Sequence, residues 1–255
     1  MKNKRNKELA VCGFEAVKAI EKNNPQIITR LYFTADRSHQ FGDLCRSMAQ
    51  RKAPYNLVED SSELEKLCGS IHHQGVVAMI PQPEIEPLSA STVAGWVENK
   101  EDTLLLDRVG NANNLGAIVR SAAFFGIKNI VIPVDDAQTG ITTSSYRVAQ
   151  GGMEKVRIWS VRSMLRLLED LKGRMVRFGT DVRAKTPISK MSELRKASDN
   201  EKKPAAVILG NEETGISDEI RSACDFLVTI PSPAQQIESL NVAQASSIIL
   251  YELTR

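Results

Sequence analysis

From about residue 101 to the C-terminus, short apolar runs alternate with segments of helical character. No other feature restricts the fold as much. The runs are 103–107 (TLLLD), 129–133 (NIVIP), 156–160 (VRIWS), 175–181 (MVRFGTD), 205–210 (AAVILG) and 226–231 (FLVTIP). Helices are predicted from about 114, from about 161, and from about 240 to 254. Strands that are apolar along their whole length are buried on both faces. The pattern therefore predicts an α/β fold: a mainly parallel sheet with helices on both faces. In such sheets ligands bind beyond the carboxyl ends of the strands. Chemistry is expected in the loops after Asp107, Pro133, Gly210 and Pro231.

Residues 1–80 read as a separate, smaller α/β unit. Phe14, Val17, Ala19 and Ile20 form a helical stripe, and residues 27–33 (IITRLYF) look like a buried strand. Helical spacing recurs over 41–49, a short strand fits 55–58, and a helix over 62–67 has Ser61 or Ser62 as its candidate N-cap. A last strand fits 75–80 (GVVAMI). This unit holds 12 Lys and Arg against 9 Asp and Glu, and the rest of the chain carries one net negative charge. The excess includes Lys2, Lys4, Arg5 and Lys7, read as a solvated tail in preference to a phosphate-contacting arm. Pro81, Pro83 and Pro87, followed by Ser89, Ser91 and Thr92, mark residues 81–100 as a linker. The domain plan is thus 1–80, a linker over 81–100, and 101–255.

Composition narrows the class. The chain has 255 residues, of which 42% are hydrophobic and 25% charged, enough for a real core. No run approaches the length of apolar chain that spans a bilayer. The basic start leads into no long apolar segment with a cleavage site, so a cytoplasmic protein is expected. The net charge of +2 neither demands nor excludes a nucleic-acid partner. Cys12, Cys45, Cys68 and Cys224 are too far apart for a zinc ribbon or a redox pair, and reduced thiols are expected. His39, His72 and His73 read as structural or surface residues, and no metal is expected. Neither G-x-G-x-x-G after the first strand of the second domain nor G-x-x-x-x-G-K-[ST] is present, which argues against NAD and nucleoside triphosphates. The absence of G-x-S-x-G argues against an α/β-hydrolase.

Three loops are odd for packing alone. In 107–126 (DRVGNANNLGAIVRSAAFFG), asparagines crowd a turn and Asn114 is a candidate helix cap. Arg120 follows on an apolar helix flanked by Ile118, Val119, Ala122 and Ala123, where a guanidinium needs a partner. In 208–217 (ILGNEETGIS), Gly210 and Gly215 bracket Asn211, Glu212 and Glu213 after a buried strand, with Ser217 placed to cap a short helix. In 230–253, a long loop with Pro233 reaches Ser239, Leu240 and Asn241 before a helix that starts with small residues. Ser239 and Asn241 are candidate caps, but a cap needs only one of them.

Taken in order, these loops resemble the three motifs of the SpoU-type (TrmH-like, SPOUT superfamily) RNA 2′-O-ribose methyltransferases. Asn114 to Arg120 matches N-x-G-x-x-x-R. Gly210 to Gly215 matches the second motif, and Ile230-Pro231 with Ser239-Leu240-Asn241-Val242 matches the third. Residues 1–80, ending HHQGVVAMI, look like the family's smaller RNA-binding domain. The resemblance implies a trefoil knot made by the last loops and helix. It implies S-adenosyl-L-methionine as cofactor, contacted by Gly210, Ile230 and Leu240. It implies a ribose of tRNA or rRNA as substrate, and a homodimer through the knotted domain. Arg120, Asn114, Glu212, Ser239 and Asn241 are then the catalytic candidates. In the family Arg120 is proposed as the base, but a guanidinium stays protonated, so electrostatic stabilisation is physically easier.

Three positions depart from the family pattern. Pro231-Ser232-Pro233-Ala234 replaces Pro-Met-x-Gly, Val242-Ala243-Gln244-Ala245 replaces V-S-V-A, and Ala149-Gln150-Gly151-Gly152 replaces a serine-glycine-alanine turn. They leave open an RNA-binding or ribosome-assembly protein that keeps the fold with little or no turnover. A methyltransferase acting on a non-RNA ribose is a third alternative.

Overall fold

A computed structural model describes residues 7–196, 202–234, 237 and 239–255. Lys2, Lys4 and Arg5 of the basic start lie outside the described residues. The chain forms two compact units, Met1–Glu84 with Ile141–Glu154 and Ile85–Gly140 with Lys155–Arg255.

In the first unit the chain makes β1 (Glu8–Cys12), α1 (Phe14–Asn23), β2 (Arg30–Thr34), α2 (Gly42–Gln50), β3 (Tyr55–Val58), α3 (Ser61–Cys68) and β4 (Val76–Pro81). The sheet order is β1-β4-β2-β3. Strand β4 runs antiparallel to β1 and β2, while β3 is parallel to β2. Central β4 is buried from Val76 to Ile80, which is why GVVAMI reads as one apolar run. The cap of α3 is Asp60 instead of Ser61 or Ser62. Its carboxylate accepts the Ser62 N–H at 2.9 Å. An aspartate caps as well as a serine and adds a negative charge at the positive end of the helix.

The chain then enters the second unit with β5 (Glu86–Pro87), α4 (Ala90–Glu98), β6 (Thr103–Asp107), α5 (Ala112–Phe124) and β7 (Asn129–Pro133). It returns to the first unit for α6 (Thr143–Ala149). Then follow β8 (Arg157–Val161), α7 (Met164–Leu171), β9 (Val176–Thr180), β10 (Thr186–Pro187), α8 (Met191–Leu194), β11 (Ala205–Gly210), α9 (Asp218–Ala223), β12 (Phe226–Thr229) and α10 (Val242–Thr254). The eight-stranded sheet has the order β10-β12-β9-β11-β6-β7-β8-β5, and every neighbouring pair is parallel.

The structure redraws two expected boundaries. The expected linker, 81–100, is largely folded. Pro87 lies in β5 on the edge of the sheet, where its missing N–H costs no ladder bond. Ser89 caps α4 by accepting the Thr92 N–H at 3.1 Å, and Trp96 on α4 meets Trp159 edge-on at 6.4 Å in the core. The segment Ile141–Glu154, expected within the second domain, belongs to the first unit. Tyr146 of α6 is buried in that unit's core with Val11, Ile20, Leu31 and Phe41.

Two buried cations anchor the second unit. Arg195 is 3% exposed and forks onto Asp102, whose Oδ1 also accepts the Ala205 N–H. Arg177 pairs with both oxygens of Asp225. The four cysteines are free thiols, Cys12 buried and the others half-buried. Among the described residues, no helix is long and apolar enough to cross a membrane.

Candidate active site

The register of the large sheet sets the site. Strands β6 and β11 pair so that Asp107 lies opposite Gly210. Both strands are parallel, so the loops that follow them leave from the same edge, side by side.

Side chains stitch these loops together. Asp107, 5% exposed, accepts Arg108 Nε at 3.0 Å and Nη2 at 3.2 Å, together with the Ser217 N–H at 3.2 Å. The Asn211 amide nitrogen donates to the Arg108 carbonyl at 2.8 Å. Its Oδ1 accepts the N–H groups of Glu213 and Thr214, which closes a tight turn back to Gly215. Gly210 is needed for that turn. A Cβ there would lie 2.3 Å from the Gly215 carbonyl carbon and 2.4 Å from the Ile216 nitrogen. The space above the Gly210 α-carbon is thus filled by the chain itself.

Helix α5 begins at Ala112 with Asn111 as its cap, accepting the Asn113 N–H at 2.8 Å. The expected cap, Asn114, is instead the third helical residue. Capping by Asn111 frees its side chain, which donates from Nδ2 to Glu212 Oε1 at 2.7 Å and accepts from Asn241 Nδ2 at 3.1 Å. Glu212 Oε2 accepts the Gly110 N–H at 3.3 Å. Asn241 also caps α10 through the Ala243 N–H at 2.9 Å. One turn or more further along, Ser121 of α5 and Ser247 of α10 lie 2.8 Å apart, so the two helices run together from a common end. Asn114, Glu212 and Asn241, one from each motif, therefore form a single hydrogen-bonded group.

Other candidates stand apart from that group. Arg120 is exposed, and among the described residues it has no hydrogen bond or ion pair. Among the described residues no internal partner meets it, and the guanidinium faces solvent, where a charge needs no compensation. Ser239 and Leu240 are exposed in the loop before α10, and Ile230 is half-buried. Residues 235, 236 and 238 of that loop lie outside the described residues. Sequence reasoning gave no role to Asp107 and Asn211. Their signal was position alone, each at the end of a buried strand.

S-adenosylmethionine carries a flat aromatic adenine, whose faces suit apolar contact and whose edge hydrogen-bonds, and a charged tail. Leu240 is 47% exposed and Ile237 is 75% exposed in the same loop. Exposed apolar side chains beside a parallel-sheet edge fit an aromatic ring that would cover them. Of the expected cofactor residues, Leu240 offers an exposed apolar surface and Ile230 a half-buried one. Among the described residues, no group of three or more His, Cys, Asp or Glu side chains is placed to hold a metal ion.

Comparison with known proteins gives a consistent result. The SpoU rRNA Methylase family matches residues 102–251, and the RNA 2′-O ribose methyltransferase substrate binding family matches residues 10–86. An uncharacterized tRNA/rRNA methyltransferase of Haemophilus influenzae is 35% identical over 161 residues, 62% of this chain and 44% of that protein. The chain thus spans less than half the length of that relative. A 23S rRNA (guanosine-2′-O-)-methyltransferase, RlmB, of Acinetobacter baylyi is 32% identical over 253 residues, 95% of either chain. The SpoU methyltransferase AviRb of Streptomyces viridochromogenes, solved in complex with AdoMet, has the same fold. Its TM-score is 0.75 at 22% identity, over 100% of this chain and 92% of AviRb.

Proposed function

The chain belongs to the SpoU rRNA methylase family, and we propose that it moves a methyl group from S-adenosylmethionine to a ribose 2′-hydroxyl of ribosomal RNA. A guanosine of the large-subunit RNA is the first substrate to test, because the relatives that match both units are named for it. The observation that carries this reading is the junction of Asn114, Glu212 and Asn241 at the carboxyl edge of the sheet.

When bound, the cofactor supplies an electrophilic methyl group on a sulfonium. The chain has to hold the ribose oxygen in line and ease the loss of its proton. Much of the acceleration in such a reaction comes from positioning. Arg120, always charged and without a hydrogen bond or ion pair among the described residues, engages the substrate phosphate and stabilises the developing alkoxide. Glu212 accepts from the Asn114 amide and the Gly110 N–H, and its role in this reading is to orient Asn114. Asn241 holds the carbonyl end of Asn114, and Ser239 faces the ribose. Gly210, Ile230 and Leu240 hold the cofactor, with the last loops threaded as a trefoil knot.

The smaller unit binds the RNA, as the match over residues 10–86 suggests. The protein acts in the cytoplasm as a homodimer. Phe124 on α5 is 82% exposed, with Ile248 and Tyr251 on the adjacent α10 at 39% and 53%. An apolar patch of this kind marks an interface. Light scattering that reports a monomer at micromolar concentration would remove this part of the reading.

The test is methyl transfer from labelled S-adenosylmethionine to rRNA, with 2′-O-methyl mapping in cells lacking the gene. Loss of one methylated ribose is the expected result. No cofactor binding at millimolar concentration, with RNA binding intact, would favour a turnover-free RNA-binding protein instead.

A further inference from the structure

Val109 is fully buried, yet its peptide lies in the irregular stretch between β6 and α5, away from any strand ladder. A buried peptide needs partners for both its N–H and its C=O. The side chain of Gln138, from the loop after β7, supplies both. Oε1 accepts the Val109 N–H at 2.9 Å, and Nε2 donates to the Val109 carbonyl at 2.9 Å. Nε2 also reaches the Thr139 carbonyl at 3.1 Å, and the Thr139 N–H donates to the Val109 carbonyl at 3.0 Å. One carboxamide thus takes the place of a neighbouring strand.

The peptides on either side of Val109 matter for the site. Arg108 has φ +62°, a left-handed backbone that a non-glycine residue keeps only when its surroundings fix it. Gly110 carries the N–H that meets Glu212 Oε2, and a Cβ on Gly110 would come within 3.2 Å of the Ala137 carbonyl. The loop after β7 therefore presses on this stretch from one side while Asn211 and Glu212 hold it from the other. Among the described residues, Gln138 has no hydrogen bond to Asn114, Glu212 or Asn241. Whatever it does for them passes through the Val109 and Gly110 peptides.

We propose that Gln138 is a positioning residue for methyl transfer: it fixes the Val109–Gly110 peptide so that Gly110 holds Glu212, and Glu212 holds Asn114. This rests on the reading of the site as a methyltransferase centre. A neutral carboxamide is required, because it must donate and accept at once. An ionised glutamate keeps the bond from the Val109 N–H but turns a second acceptor toward the Val109 carbonyl.

The experiment is a double-mutant cycle of Gln138→Met and Glu212→Ala, read as the single-turnover rate of methyl transfer to rRNA. Cofactor affinity is followed by calorimetry and RNA affinity by filter binding. In the otherwise unaltered protein, Gln138→Met should slow the reaction by about tenfold to hundredfold, a size typical of misplaced reacting groups. Both affinities should stay within about twofold. In the Glu212→Ala background the same change should alter the rate by less than about twofold, because the link is already cut. A wild-type rate for Gln138→Met, or an equal loss in both backgrounds, overturns the proposal. If Gln138→Met does not fold, Gln138→Glu takes its place in the cycle with the same expectations. Absence of methyl transfer by the unaltered protein refutes the proposed function itself, and is seen before any variant is made.

Discussion

Asn114 and Glu212 lie 98 positions apart in the chain and are joined by a 2.7 Å hydrogen bond from the amide nitrogen to Oε1. An amide is the group that can donate to Glu212 and accept from Asn241 at once. Asn114→Asp would set two carboxylates at that distance, and both cannot ionise cheaply. Methyl transfer by Asn114→Asp should fall by about tenfold or more at neutral pH. It should recover in part as the pH is lowered and the pair takes up a proton. Asn114→Ala should fall without that recovery. Rate–pH profiles of the two variants provide the check.

Arg120 separates catalysis from stability. Its side chain is exposed and unpaired among the described residues, so Arg120→Ala should leave the melting temperature within about 2 °C of wild type. The rate should fall by about a hundredfold. Arg120→Lys should restore little, because an ammonium lacks the planar fork that grips a phosphate. A wild-type rate for Arg120→Ala would remove this residue from the mechanism.

Gly210 behaves in the opposite way. An alanine there would place Cβ within 2.7 Å of three backbone atoms of Gly215 and Ile216. Backbone cannot rotate aside as a side chain can. The overlap should cost about 3 kcal/mol, which is a fall of about 10 °C in melting temperature. Thermal unfolding followed by circular dichroism measures it. A melting curve that overlays the wild type would mean that the turn relaxes freely.

Acid should weaken the second unit through Asp225. Burial pushes its carboxyl up, and hydrogen bonds from the Arg177 side chain and N–H outweigh this, so it is held below its ordinary value. The unfolded chain then binds the proton more readily than the folded one. The contribution is complete above the usual carboxylate range, about pH 4, and is lost as pH falls through the lower folded value. Asp225→Asn should flatten the acid limb of a plot of melting temperature against pH. An unchanged limb would assign acid sensitivity to other groups.

The sequence was most readable where burial was complete. The runs 103–107, 129–133 and 205–210 end where strands β6, β7 and β11 end. Strands covered on both faces cannot admit a polar residue without showing it. The two-residue strands around Pro87 and Pro187 were invisible, since they pair at sheet edges and leave no periodicity. Asn114 looked like a cap because caps and site residues share the same chemistry, and only the position of Asn111 tells them apart. Gln138 sits in a polar loop and carries no sequence signal. Its part follows from Val109 being buried 29 positions earlier.

Tyr146 fills the core of a unit whose strands are complete by Pro81. During synthesis, β1 to β4 leave the ribosome well before the residue that closes their interior has been translated. Until then the nascent chain carries an unsealed apolar cleft beside α1. The first unit therefore cannot close until the chain has passed through Ile85–Gly140 of the second. Cutting after Glu84 would yield a fragment with a hole in it, not an autonomous module.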